Sequence, residues 1–167
     1  LESLIFDDVV IYDGSKQPFD LRLFGRTQAS WLHTKNDFVY SQDDDIVHTP
    51  DDQLRILSEY EPGVLTGCMW DEWNDGARRQ GIEDGYDDLV FMGSGSVYDY
   101  RLPHEAAATY LEHFPEDDFF YLWADTIIGI IAPTKQLDIR FEALPHAEAP
   151  NRICNLPDAV ALKTEAI

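Results

Sequence analysis

Basic residues are scarce in this chain. Twelve lysines and arginines stand against 32 aspartates and glutamates in 167 residues, a formal net charge of −20. A protein that grips a nucleic-acid backbone neutralises phosphates with a basic stripe, and the sequence has none, so direct nucleic-acid binding is not expected. Cysteine is rarer still. Cys68 and Cys154 show neither CxxC nor metal-ligand spacing. That excludes a disulfide framework and leaves either one bridge or two buried thiols. No apolar run approaches the roughly 20 residues of a transmembrane helix. No charged n-region with an apolar h-region opens the chain at Leu1. With no signal peptide visible, a cytoplasmic protein without membrane association is expected.

What the chain does hold is enough apolar material for a core. Hydrophobic residues make up 44% and aromatics 13% of it, so disorder of the whole is not expected. A chain of this length forms one domain and buries roughly two-thirds of its unfolded surface. The charge is also localised. Asp37 to Asp125 contains 22 acids and four bases (Arg55, Arg78, Arg79 and Arg101), while the two flanks share ten acids and eight bases. Self-repulsion on this scale costs stability. Solubility or a salt-rich habitat would account for it, and so would a surface complementary to something basic or a site for cations.

The strand signals come first. Residues 3–12, SLIFDDVVIY, are rich in β-branched and aromatic residues and end at Asp13-Gly14. Phe19 to Phe24 alternates as a second strand. Trp31-Leu32-His33 and Phe38-Val39-Tyr40 flank a polar turn as a hairpin. Thr49-Pro50-Asp51-Asp52 is a strong helix start: Thr49 caps, Pro50 needs no hydrogen-bonded N–H at the first position, and the two aspartates suit the positive end of the dipole. That helix should reach about Tyr60 before Pro62-Gly63.

Val64 to Trp70 reads as a short strand, and Asp71 to Asp88, with Gly76, Gly81 and Gly85, as a long loop. Leu89–Met92 and Val97–Leu102 bracket Gly93-Ser94-Gly95-Ser96 as a hairpin. Pro103 to Phe114 is a second helix. Phe119 to Ala132 is strongly apolar and reads as two strands, broken at Asp125-Thr126 or at Gly129. Leu137 to Leu144 alternates as a half-buried strand, and Pro157 to Thr164 suits a short final helix. The expectation is a single α+β domain spanning 1–167, with a mostly antiparallel sheet of about six to eight strands and two or three helices.

Patterns of catalysis and metal binding fail on named residues. Begun at Asp71, a calcium loop matches at Asp75 and Gly76, but Trp73 occupies a ligand position and Ile82 replaces the closing Glu. The histidines (His33, His48, His104, His113 and His146) form no HxH or HExxH motif, and only a loose grouping of His33 and His48 with Asp43-Asp44-Asp45 is conceivable. Gly93-Ser94-Gly95-Ser96 is not a nucleophile elbow. Cys68 lies near Asp71 and Glu72, whose charges would raise its pKa and blunt its reactivity. No cofactor is implied.

The pattern that survives is one of recognition. Trp70, Asp71, Glu72 and Trp73, followed by Asp84, Tyr86, Asp87 and Asp88, set aromatic anchors among dense acids, the make-up of an interface that selects a basic partner. In charge and size the chain is similar to small acidic inhibitors such as bacterial immunity proteins and nucleic-acid mimics. The expected function is a non-enzymatic binding protein that neutralises a basic protein, a toxin or nuclease, through those eight residues. The alternative is a carboxylate-dependent hydrolase or divalent-metal enzyme using Asp71, Glu72 or Asp99.

Overall fold

The computed structural model of the chain describes residues 5–6, 9–13, 16, 18, 21–33, 36–43, 46–68, 89–139 and 142–143. Their order is α1 (Phe24–His33), β1 (Phe38–Gln42), β2 (Ile46–Val47), α2 (Pro50–Ser58), β3 (Leu65–Cys68), β4 (Ser94–Asp99), α3 (Leu102–Leu111), α4 (Asp118–Ile131), β5 (Thr134–Leu137) and β6 (Glu142–Ala143). The fold is α+β. Its main sheet has the order β1–β4–β3–β5, antiparallel except for the parallel β3–β5 pair, and β2 and β6 form a separate antiparallel pair.

The sheet is thus four-stranded and mixed, smaller than the expected six to eight strands, and the described residues hold four helices where two or three were expected. The largest part of that difference lies in one segment. Residues 119–132 are not two strands but most of α4. Asp117 caps this helix by accepting a hydrogen bond from the Phe120 N–H at 3.1 Å. Phe120, Leu122, Ala124, Ile127 and Ile128 are all buried along it. Its less buried positions Tyr121, Trp123 and Ile130 are aromatic or apolar too, so the segment carries no broad polar stripe and resembles buried strand.

Other strand expectations move in the same direction. The described residues of 3–12 form no strand, and Phe24 opens α1 where a second strand was expected. Trp31–His33 is the end of that helix and not a hairpin arm. Leu89–Met92 is not a strand either, and Ser94, Gly95 and Ser96 lie inside β4. Gly95 has φ +92°. In the β1–β4 register, Ser41 faces Ser96 and Gln42 faces Ser94, so Gly95 is the extra residue of a bulge. A Cβ there would also stand 2.3 Å from His48 Nε2. The Leu137–Leu144 strand is displaced: β5 ends at Leu137, and the separate β6 holds only Glu142–Ala143. The possible final helix at 157–164 lies outside the described residues.

Two helix expectations hold. In α2, Thr49 Oγ1 accepts from the Asp52 N–H at 3.2 Å and donates to Asp52 Oδ2 at 2.6 Å. Ile56 is fully buried, whereas Leu54 turns outward at 51% exposure. In α3, Leu102, Pro103, Ala106 and Ala107 are buried.

The sheet is filled on both faces. Val97 of β4 packs with Ile56, Cys68, Leu137 and Ile139 on the α2 side. Its neighbour Tyr98 packs with Leu65, Val90, Met92, Leu102, Ala106 and Ile128 on the side of α3 and α4. Successive side chains of a strand point to opposite faces, and both faces of β4 are covered. Each aliphatic side chain so enclosed contributes roughly 1.5–3 kcal/mol. A third cluster, built on Ala107, Phe120 and Ile127 with Phe24 and Tyr110 against it, joins α1 to α3 and α4.

Candidate functional site

The ends of several elements meet at one margin of the sheet. Asp37 precedes β1, Tyr60 and Gly63 lie between α2 and β3, Asp99 ends β4, Tyr100 and Arg101 turn the chain, and Leu102 and Glu105 open α3. Together they line a cleft of about 430 Å3. The backbone alone draws the margin together, since the Tyr100 N–H donates to the Asp37 carbonyl at 3.4 Å.

Asp99 is the brace of this site. Its Oδ1 accepts from the Tyr60 hydroxyl at 2.8 Å, and its Oδ2 accepts a short hydrogen bond from the Gly63 N–H. Both oxygens are engaged inside the fold, so this carboxylate holds the α2–β3 turn against the end of β4. That use argues against the catalytic role considered for it. Tyr60 is pushed up to about 12, first by burial, then by its hydrogen bond to Asp99 and the charges of Asp99 and Asp37. It remains a neutral donor at any ordinary pH.

Aromatic rings flank the acids. Phe38 stacks on Tyr60 with centroids 4.8 Å apart. Trp31 meets Tyr100 at 5.4 Å and His104 at 4.6 Å. Trp31 and Phe38 remain 43% and 40% exposed, so these rings are accessible at the surface. The Arg101 guanidinium carbon lies 5.0 Å from the Tyr100 ring centroid, and its Nε donates to the Tyr100 hydroxyl at 2.8 Å. That hydroxyl holds the guanidinium above its ordinary pKa, with Glu105 and Asp37 adding their negative charge. Burial lowers the pKa of His104, with partial relief from its backbone hydrogen bond at Thr27. The cleft therefore combines carboxylates, two tyrosines and one resident cation, with the accessible rings of Trp31 and Phe38 packed against those tyrosines.

A second group of charges centres on a buried carboxylate, Asp125, with Arg26 and Asp43 half-buried beside it. Arg26 of α1 lies 2.6 Å from Asp43 and 3.3 Å from Asp125 of α4. Burial opposes its charge, but the two carboxylates outweigh that effect and raise its pKa. Asp125 is raised to about 6, chiefly by burial; Arg26 pulls it back, Asp43 pushes it up, and the Gly93 N–H lowers it. A Cβ on Gly93 would stand 2.2 Å from Asp43 Oδ2 and 2.5 Å from the Arg26 guanidinium, so glycine lets the backbone close over the pair. The group ties α1, the end of β1 and α4 together.

Cys68 is a buried free thiol. Burial is the main cause that pushes it up to about 12, with Asp52 adding and Arg55 opposing. The direction is the expected one, but its chief cause is burial in the β3 core. Among the described residues, no three histidine, cysteine or carboxylate side chains converge in a way that could hold a metal ion. No helix among them is long and apolar enough to cross a membrane.

Trp70, Asp71, Glu72, Trp73, Asp84, Tyr86, Asp87 and Asp88 lie outside the described residues, as do Arg78 and Arg79. Of the acids singled out for chemistry, Asp99 is the one placed in the cleft. Asp37, Tyr60, Arg101 and Glu105 were not singled out. Their signal was faint: an acid beside an aromatic at Asp37-Phe38 and again at Asp99-Tyr100, each at the end of an element. Comparison with family models, with curated proteins and with solved structures finds no match to the chain.

Proposed function

We propose that this is a non-enzymatic acidic binding protein whose partner is a basic protein, and that it acts as an inhibitor or immunity-type protein neutralising a toxin or nuclease. The observation that carries this reading is the pairing of five bases among the described residues. Lys16 is paired with Asp13, Arg26 with Asp43 and Asp125, and Lys135 with Glu59; Arg55 donates to the Asp138 carbonyl and Arg101 to Tyr100. Asp37, Asp51, Glu61, Glu105, Glu112 and Asp118 are meanwhile exposed. Among the described residues these five bases each have a partner within the chain, while those six carboxylates stand exposed, which leaves a negative field available to a partner. The segment with Trp70, Trp73, Asp84, Asp87 and Asp88 supplies further anchors and acids. A reducing compartment such as the cytoplasm suits the free thiol of Cys68.

The test starts with affinity capture from the native host at low salt and identification of the bound protein by mass spectrometry. The expected partner is a protein of high pI that forms a saturable complex. Reversing Asp84, Asp87 and Asp88 together to lysine should slow its association about ten-fold or more, because steering by complementary charge acts mainly on the on-rate. A partner of neutral or acidic pI, bound at a rate indifferent to that reversal, would overturn the reading.

A further inference from the structure

We propose that the cleft between Asp37, Tyr100 and Glu105 is a guanidinium subsite that takes an arginine side chain of the basic partner, and that Arg101 occupies its aromatic face in the free protein. This rests on the reading of the chain as an acidic binding protein and assigns one feature of the partner.

The argument starts from the internal cation. Arg101 is exposed, yet it folds back over the ring of its own neighbour, with its guanidinium carbon 5.0 Å from the Tyr100 centroid and its Nε bonded to the Tyr100 hydroxyl at 2.8 Å. A guanidinium over an aromatic face is favoured by the negative face of the ring, and it keeps donors free at its edge for carboxylates. Asp37 and Glu105 line the same cleft and act electrostatically on that guanidinium. The chain's own arginine thus displays the chemistry this surface accepts.

The frame around it is fixed. Trp31 packs on the Tyr100 ring at 5.4 Å, and Asp99 braces Tyr60 and Gly63, which line the same cleft. Glu105 lies in the first turn of α3, where the helix dipole favours a carboxylate. The cleft, at about 430 Å3, has room for a second side chain beside or in place of Arg101. An exposed arginine over a surface ring is weakly held, on the order of 0.5–1 kcal/mol, so an incoming arginine with further contacts elsewhere can displace it. Lysine, a compact ammonium without a planar face to stack, fits the same surface less well.

The test uses the full chain and two uncharged-capped hexapeptides, one alternating glycine with arginine and the other glycine with lysine, titrated calorimetrically at low salt. Binding of the arginine peptide should exceed that of the lysine peptide about three-fold or more. Glu105→Gln and Tyr100→Leu should each weaken it about five-fold, while Arg101→Gln, by freeing the ring, should strengthen it about three-fold. Glu112→Gln, which removes one exposed carboxylate at the other end of α3, should change it less than two-fold. Glu105 and Arg101 are exposed, so their variants keep the test valid should Tyr100→Leu fold poorly. If Glu105→Gln and Glu112→Gln weaken binding equally, or Arg101→Gln strengthens the arginine and lysine peptides alike, the peptide is held by diffuse charge, and the subsite is refuted while the acidic-binder reading stands. If neither peptide binds at low salt, the subsite is refuted as well, and the capture experiment decides the broader reading independently.

Discussion

Asp125 is a carboxylate buried in α4 beside Arg26 of α1. Its carboxyl is raised from 3.8 to about 6, with burial as the first cause. A carboxyl whose folded pKa exceeds its unfolded value binds its proton more tightly in the native state. Its contribution to stability is therefore complete below about pH 4 and is lost as pH rises through 6. Asp125→Asn removes that dependence while Asp43 remains to pair with Arg26. Denaturant titrations should show wild type gaining on the variant by on the order of 2 kcal/mol between pH 7 and pH 4, and parallel curves would contradict the burial of this carboxyl. Cys68 gives a second prediction. With its thiol pushed up to about 12, it should resist iodoacetamide at pH 8 in the native state and react once the chain is unfolded. Peptide mapping separates it from Cys154, and rapid native modification at Cys68 would contradict its place in the core.

At the scale of elements, α2 and β4 show how local chemistry sets structure. The Thr49 side chain holds the Asp52 N–H at the start of α2. Thr49→Ala should cost about 1 kcal/mol, measured by denaturant unfolding with an unchanged m-value. Gly95→Ala should cost more, because it meets both a φ of +92° and His48 Nε2 at 2.3 Å from the added Cβ. A loss under 0.5 kcal/mol would refute the bulge, since left-handed backbone alone costs an ordinary residue about 1–2 kcal/mol.

The same elements explain what could be read beforehand. Helix α2 was legible because its start depends on consecutive residues, Thr49 to Asp52, whatever the rest of the chain does. Helix α4 was not, because Phe120, Leu122, Ala124, Ile127 and Ile128 are buried by α1, α3 and the sheet, while its less buried positions Tyr121, Trp123 and Ile130 are aromatic or apolar as well, so few polar residues mark the helical period. Gly93 to Ser96 read as a turn because glycine and serine mark turns, whereas Gly95 serves a bulge and the Ser96 hydroxyl is satisfied by the Met92 carbonyl at 2.9 Å. In the cleft, Asp99 and Tyr100 stood out beside each other, but their meeting with Tyr60 and Glu105 depends on the tertiary fold. Such a juxtaposition has no spacing signature.

For the molecule as a whole, the controlling quantity is the net charge of −20. An excess of 32 acids over 12 bases leaves a field that repels itself and attracts cations. Salt has opposite effects on the two consequences. By screening self-repulsion it should raise the melting temperature of the free protein; by screening steering it should slow encounter with the basic partner, since at about 0.15 M salt the field is cut off within roughly 8 Å. The measurement that tests the acidic-binder claim most directly is the association rate constant with the host-captured partner across a salt series from low to high ionic strength. The expected result is a steep fall, by about ten-fold or more, with a much smaller change in dissociation rate. An association rate that stays within two-fold across the series would contradict the claim.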